Sequence, residues 1–291
     1  MRAYLEDARS KGLVSMKECP NHPGLYVLKY SKKVFYKDLW DDHLEESRGT
    51  IVDADFNPVV LPFRKIYNFG IEKRAPHFDD DELVMVHPKV NGFMAAITPY
   101  KGQLIYSTTG STTSDFVDYI KELASAYKLE GHLEEGTTYL FEACHPKDPH
   151  VIPEMPGLYY LGQRRTAFGT SVVHDDVLAS ALGCFYYWPT PCRVSELKNW
   201  AKRANHEGFV FYSMTDPTKA AKIKSPYYLA TKLFGRASNL DVLLNGKAKL
   251  IMDEEFYPLI DMVRENKEEF SSMDEQTRMA WCRAHLETLI K

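Results

Sequence analysis

Lys89-Val90-Asn91-Gly92 stands between an apolar run at 83–86 and another at 93–98. Both runs read as strands. A lysine is therefore presented at a strand end, beside a glycine that admits close approach of a ligand to the backbone. A neutral lysine amine in such a place is a candidate covalent nucleophile toward a bound phosphate. Composition alone produces a Lys-x-Asn/Asp-Gly string in about one chain of this length in ten, so the motif needs support from elsewhere. Lys222-Ile223-Lys224 supplies it. Residues i and i+2 of a strand share a face, which aims two ammonium groups at one spot with Ile223 opposite. Between 217 and 240 there is no Asp or Glu, while Lys219, Lys222, Lys224, Lys232 and Arg236 are all present. Like charges on one face repel, and an anion, most simply a polyphosphate, relieves that repulsion.

Four further stretches have chemical character. Glu46-Ser47-Arg48-Gly49 places an arginine at a strand start, and Pro62-Phe63-Arg64-Lys65-Ile66-Tyr67-Asn68 sets basic residues beside aromatics. Tyr139-Leu140-Phe141-Glu142-Ala143 is an apolar strand ending in a carboxylate. Glu207-Gly208-Phe209-Val210 precedes the paired lysines by a hairpin-like interval.

The elements that must position these groups are legible in outline. Strands are expected at 25–30, 34–37, 50–53, 59–63, 83–87, 93–98 and 103–108, punctuated by Asn21-His22-Pro23-Gly24 and the Asp53 to Pro58 cluster. A helix is expected over 113–128, with Phe116, Ile120, Leu123 and Tyr127 on one face, Thr112 as its cap and Gly131 beyond its end. Strands follow at 138–143, 158–163, 185–188, 209–213 and 220–224, and helices at 172–182 and 194–203. Ser272-Met273-Asp274-Glu275 has the form of a capping box. The acidic run Asp79-Asp80-Asp81-Glu82 reads as a solvated loop. The fold class is α+β, antiparallel sheets flanked by helices, with a large domain at 1–238 and a small helical appendage at 239–291.

The chain has 291 residues, 44% hydrophobic and 26% charged, with a net charge of −4. Any contact with nucleic acid must then come from a local basic face and not a global field. No signal-peptide-like run opens the sequence, and no stretch approaches about 18 apolar residues, so neither secretion nor a membrane span is expected. Cys19, Cys144, Cys184, Cys192 and Cys282 are odd in number and scattered, as reduced thiols of a cytoplasmic protein would be.

Taken in order, Glu46 to Gly49, Lys65 to Asn68, Lys89 to Gly92, Phe141-Glu142, Glu207 to Val210 and Lys222 to Lys224 resemble the motifs of the covalent nucleotidyltransferases. More narrowly they resemble the phage RNA ligase 1 family, over roughly residues 25–235. That resemblance implies a nucleotidyltransferase, ATP-grasp-like ligase domain and an ATP-dependent RNA ligase. Lys89 would attack the α-phosphorus of ATP and hold AMP, with Lys222 and Lys224 as its catalytic companions. An ordinary lysine has a pKa of about 10.4, and crowding by Lys222, Lys224, Arg48 and a bound metal would lower it. The ATP-binding set would be Arg48, Lys65, Lys89, Asn91, Gly92, Glu142, Lys222 and Lys224. Glu207 and Glu142 would hold Mg²⁺, or Mn²⁺ in its place. AMP would then pass to the 5′-phosphate of an RNA, and a 3′-hydroxyl would displace it, as in repair of a cleaved tRNA or another broken RNA. A monomer in the cytoplasm is implied, the host's if the source is a phage.

The chain departs from that family at three places. Asn91 replaces the usual Asp, Thr109-Gly110 stands where the phage enzyme has Lys-Gly, and Cys144 to His150 replaces another segment. Tyr159 or Tyr160 falls where the family carries a strand-borne aromatic, and Gln163-Arg164-Arg165 ends the same strand, either to reach RNA phosphates or as a solvent-facing pair. The alternatives are a capping or DNA-ligase-type nucleotidyltransferase and a non-catalytic RNA-end binder.

Overall fold

The computed structural model describes residues 2–236 and 240–290. The boundary expected at 238/239 lies outside the described residues. In chain order the strands are β1 (Val14–Cys19), β2 (His22–Tyr30), β3 (Arg48–Val52), β4 (Pro58–Val60), β5 (Tyr67–Asn68), β6 (Leu83–Pro88) and β7 (Phe93–Tyr100). They continue as β8 (Gln103–Ser107), β9 (Thr137–Cys144), β10 (Gly157–Arg165), β11 (Thr190–Arg193), β12 (Gly208–Ser213) and β13 (Ala220–Lys224). The helices are α1 (Arg2–Ser10), α2 (Lys32–Tyr36), α3 (Asp42–Glu46), α4 (Asp115–Ala124), α5 (Asp176–Leu182), α6 (Val194–Arg203) and α7 (Pro226–Arg236), then α8 (Ala248–Ile251), α9 (Tyr257–Glu265), α10 (Lys267–Ser272) and α11 (Glu275–Thr288). Among the described residues no helix is long and apolar enough to cross a membrane.

The chain divides into two compact units, each assembled from separate segments. The first takes the chain up to Lys65, then Gly92–Pro149 and Glu154–Trp188; the second takes Ile66–Asn91, His150–Pro153 and everything from Pro189.

In the first unit, one sheet has the order β1-β2-β3-β4 and another the order β10-β9-β7-β8. Strand β9 is buried along most of its length, as its unbroken apolar run requires of a central strand. Its alternate residues serve two cores. Tyr139, Phe141 and Ala143 pack with Ile120 and Ala124 of α4 and Leu182 of α5, whereas Leu140 packs with Val27, Ile51 and Val60 of the first sheet. The second sheet is thus covered by helices on one face and by the first sheet on the other.

In the second unit the sheet order is β11-β6-β12-β13-β5. Its ladders are antiparallel except the last, where β5 runs parallel to β13. Val84, Val86, Phe209, Phe211, Ala221 and Ile223 turn to one core with Val194, Leu197 and Ala201 of α6. Burying such a branched or aromatic side chain contributes about 1.5–3 kcal/mol, against about 1 kcal/mol net for a ladder hydrogen bond. Ala221 and Ile223 therefore fix which way β13 faces, and Lys222 and Lys224 must occupy the other side. A separate core joins Tyr228, Leu229 and Leu233 of α7 to Leu259, Ile260 and Val263 of α9, Phe270, and Cys282 and Leu286 of α11.

Several local expectations are corrected. Residues 34–37 lie in the helix α2 and its cap, Val34 filling the core while its neighbours face outward. The 113–128 helix is the shorter α4, capped at Ser114 instead of Thr112. Residues 185–188 form only one bridge, Phe185 beside Tyr159. The cap at the last helix is Asp274, whose carboxylate accepts from the Thr277 amide; Ser272 ends the helix before it.

Candidate active site

Lys89 follows the last residue of β6, and its amide donates to the Gly208 carbonyl at 2.8 Å. That bond ties the lysine to the start of β12, immediately after Glu207. The Lys89 ammonium lies 3.0 Å from Glu207 Oε2, and Lys224 lies 3.3 Å from Glu207 Oε1. Lys224 also donates to Glu255 Oε1 at 2.9 Å, and Lys232 donates to that same oxygen at 2.7 Å. Lys232 reaches Asp253 Oδ2 at 2.5 Å. The result is a row of alternating charge: Lys89, Glu207, Lys224, Glu255, Lys232, Asp253. Its inner members are buried, and Lys89 at the end retains 23% side-chain exposure. Of the row, only the nucleophile candidate and Asp253 keep substantial access to solvent.

Burial pushes the Glu207 carboxyl upward, but the Lys89 and Lys224 ammonium groups outweigh it and hold the pKa below the ordinary value. Burial likewise opposes the Lys224 ammonium, and Glu255 and Glu207 more than compensate, raising its pKa. Burial again works against ionised Glu255, yet Lys224 and Lys232 bring it down to about 2. Glu207, Lys224 and Glu255 are thus each kept ionised by their neighbours.

A glycine makes this row. Gly208 has φ +132, and a Cβ there would sit 2.1 Å from the Ile223 carbonyl oxygen. The backbone of β12 can approach β13 this closely only without a side chain. Gly208 and Lys224 are Cα partners, so the approach sets Glu207 next to Lys224. Gly208→Ala should cost about 2 kcal/mol or more of stability from strain and displaced backbone. Chemical denaturation of the purified variant measures that loss.

The structure brings Lys89, Glu207 and Lys224 together in the second unit and places Lys222 two residues before Lys224 on the same side of β13. Lys222 is the Cα partner of Val210 and of Asn68. Asn91 is buried in the same unit. Arg48, Lys65, Gly92 and Glu142 belong to the first unit. Glu142 Oε1 accepts from the Gly92 amide at 3.2 Å, and a Cβ on Gly92 would lie 2.4 Å from the Ala143 carbonyl oxygen. The glycine of the lysine motif is therefore demanded by β7 packing on β9. The Lys65 ammonium lies 4.7 Å from the Trp40 ring centre, a cation–π placement. Arg48 opens β3.

Two expectations about charge are overturned. The lysines of 217–240 do not form a bare cationic face. Lys219 meets Glu82 at 2.6 Å, and Lys224 and Lys232 meet the carboxylates already named. Asp79, Asp80 and Asp81 form the solvated loop expected of them, with exposed Asp80 pairing with Lys198, and Glu82 at its end is partly buried against Lys219. Arg164 does not reach outward either. It is buried and makes a two-pronged pair with Glu46, at 2.8 and 2.7 Å, and donates to the Pro62 and Thr170 carbonyls at 2.8 Å. It braces the turn before Arg48.

Sequence reasoning missed Glu255 and Asp253 and did not single out Lys232 for the site. A signal was present. Five cations without an acid between 217 and 240 need counter-charges, and Asp253-Glu254-Glu255 is the next acidic run.

Solved structures similar to the chain include ATP-dependent RNA ligases. Two forms of an archaeal ATP-dependent RNA ligase match with TM-scores of 0.61 and 0.59 at 18% and 17% identity, over 99% of this chain and 75% of that one. An Aquifex aeolicus protein assigned as an ATP-dependent DNA ligase matches with a TM-score of 0.56 at 17% identity, over 98% of this chain and 78% of its own. No protein-family model matches the sequence, and no curated protein does. The chain has the fold of the ligase nucleotidyltransferase domains, α+β with antiparallel sheets flanked by helices.

Proposed function

We propose that the chain is an ATP-dependent RNA ligase of the phage RNA ligase 1 type, working through a lysyl-AMP intermediate. One observation carries the reading: on a ligase fold, Lys89 ends the central row of charges with its ammonium accessible and 3.0 Å from the buried Glu207.

In the first step the Lys89 nitrogen forms a bond to the α-phosphorus of ATP. The α–β phosphoanhydride breaks, pyrophosphate leaves with the bonding electrons, and the amine proton goes to solvent. In the second, an oxygen of an RNA 5′-phosphate attacks the same phosphorus, breaks the N–P bond and returns the amine. In the third, a 3′-hydroxyl oxygen attacks the RNA 5′-phosphorus, a phosphodiester forms and AMP departs.

Without ligand, Glu207 favours the charged form of Lys89. Its oxygens are of the kind a hard divalent cation takes, and Mg²⁺ needs only one or two carboxylates when substrate phosphates complete its shell. Bound there, Mg²⁺ would offset charge on the transferring phosphoryl group. Lys222 and Lys224 stabilise negative charge on the phosphates by direct approach. Arg48, Lys65, Asn91, Gly92 and Glu142 complete the proposed ATP-binding set, with Glu142 a second metal-binding carboxylate. The helical segment 239–291 is the proposed appendage to an adenylyltransferase domain at 1–238. Repair of broken RNA, cleaved tRNA included, by a monomer in the cytoplasm is the setting that fits these substrates.

Incubation with Mg²⁺ and ATP labelled at the α or the γ position tests the proposal. Label should stay on the denatured protein only from α-labelled ATP, and should pass to RNA bearing a 5′-phosphate. No retained label with either nucleotide, together with no sealed RNA, sinks the reading. Preferential labelling by GTP would make the chain a capping-type enzyme, and sealing of DNA alone a DNA ligase.

A further inference from the structure

Gln163 and Arg165 at the end of β10 have no role in the row of charges. Residues i and i+2 of a strand share a face, and the ladder says which: Gln163 is the Cα partner of Tyr139 and Arg165 of Thr137. Tyr139 belongs to the helix-covered core of that sheet. The pair therefore points away from Arg164, which turns to Glu46. Gly162 brings a wall up to them. It sits at an irregularity in the β10–β9 register with φ +137, and a Cβ there would lie 2.6 Å from Val172 Cγ1 and 2.9 Å from the Val173 carbonyl oxygen. Only glycine lets residues 172–173 press so closely on the strand, and Val173 then exchanges two backbone hydrogen bonds of 2.8 Å with Gln163. This segment and the strand ends line a recess of about 210 Å³, whose walls include Glu134, Tyr139, Gln163, Arg165, Val173 and Asp175.

The polar groups of the recess do not satisfy one another. Among the described residues the Arg165 guanidinium, the Gln163 amide and the Glu134 carboxylate make no hydrogen bond or ion pair. Asp175 uses Oδ1 to accept from the Leu178 amide at 2.9 Å. The Tyr139 hydroxyl accepts from the Glu134 amide at 2.9 Å, and burial raises its pKa, so the phenol keeps a proton to donate. Two carboxylates against one guanidinium disfavour a phosphate here. The volume lies below the ~300–1,000 Å³ of sites for drug-sized ligands, which leaves room for one ring system. That ring must carry adjacent donors for a carboxylate and adjacent acceptors for a guanidinium. Guanine does: N1–H and the N2 amine lie on one edge, O6 and N7 on the next, and arginine reads that second edge with two hydrogen bonds. We propose that the recess binds a guanine base, with Arg165 donating to O6 and N7 and Glu134 accepting from N1 and N2. The base has two sources, a free nucleoside and a guanosine within an RNA strand. The second rests on the ligase reading; the existence of the site does not.

The test is calorimetric titration of the full chain with guanosine, adenosine and cytidine. Guanosine should bind about 10-fold more tightly than either of the others. Inosine, which lacks the N2 amine, and 7-deazaguanosine, which lacks N7, should each bind about 5-fold more weakly than guanosine. Variants assign the edges, and both side chains are exposed, so the fold should stand. In Arg165→Ala, guanosine should weaken about 10-fold and bind no better than 7-deazaguanosine. Arg165→Lys should not restore the difference, because an ammonium does not span two acceptors as a guanidinium does. In Glu134→Ala, guanosine and inosine should bind equally. Lys128→Ala, at an exposed lysine outside the recess, should leave every affinity unchanged. Equal binding of the three nucleosides, no binding of guanosine to wild type, or a guanosine preference that survives in both alanine variants overturns the proposal. A 5′-hydroxyl RNA hexamer with one guanosine, set against the same hexamer with inosine, identifies the source. A gap like that of the nucleosides assigns the base to an RNA strand, and equal affinities assign it to the free nucleoside. Failure of α-labelled ATP to mark the wild-type protein, with the guanosine result intact, removes the ligase reading and leaves this site standing.

Discussion

Lys89→Ala protein should retain no label from α-labelled ATP, a loss of at least about 10⁴-fold in adenylylation, because no other group replaces a covalent nucleophile. The fold should survive the change. Glu207 keeps its pair with Lys224 at 3.3 Å, and Lys89 is partly exposed, so the stability cost should stay within about 1 kcal/mol. Lys89→Arg sharpens the result. It preserves a cation able to pair with Glu207, yet a guanidinium stays protonated and cannot attack phosphorus. Both variants should be silent in gel-resolved labelling of denatured protein while unfolding close to wild type. Label retained by either variant would place the nucleophile elsewhere.

Glu255→Gln should remove about 3 kcal/mol of stability at pH 7. The wild-type carboxyl is held at about 2 against an ordinary value of 4.5, and each unit corresponds to about 1.4 kcal/mol. The sign follows from a depressed folded-state pKa. Its contribution is complete above the unfolded value and disappears as pH falls through the folded one. The gap between wild type and variant should therefore be full at pH 6–7, shrink below about 4.5 and close near 2. Urea denaturation across that range reads it directly. At pH 7 the melting temperature should fall by on the order of 5–10 °C. Collapse of the variant is not expected, because Lys224 keeps Glu207 and Lys232 keeps Asp253. An unchanged gap at pH 3 would show that Glu255 acts through packing and not through charge.

What could be read in the sequence was what depends on period and on neighbours along the chain. The alternation Ala221, Lys222, Ile223, Lys224 fixed the two faces of β13, and the apolar run of β9 announced a central strand. Residues 34–37 have strand-forming types, but Val34 alone is buried there, and a short helix satisfies it equally well. The strand expected at 185–188 failed because aromatic residues that favour strands also stack. Tyr159 takes Phe185 and Tyr187 against its ring at 4.8 and 5.8 Å in place of an extended ladder. The charges of the site were the least legible part. Lysines cluster within 217–240, but the carboxylates that neutralise them come from residues 82, 207, 253 and 255. Pairing over such separations is a property of the fold; the acid-free stretch signals that counter-charges are needed, and local spacing does not say which carboxylate meets which lysine.

The ladder partners of β6 lie far along the chain: Val86 faces Phe211 on one side and Thr190 on the other. A ribosome adding about 5–20 residues per second leaves the lysine-bearing strand with both edges bare for several seconds, until the later strands emerge. Bare apolar edges recruit whatever strand is near, so yield in a fast-translating host should respond to chaperone supply and growth temperature. A fragment stopped at residue 188 would keep that hazard permanently and should be recovered as aggregate.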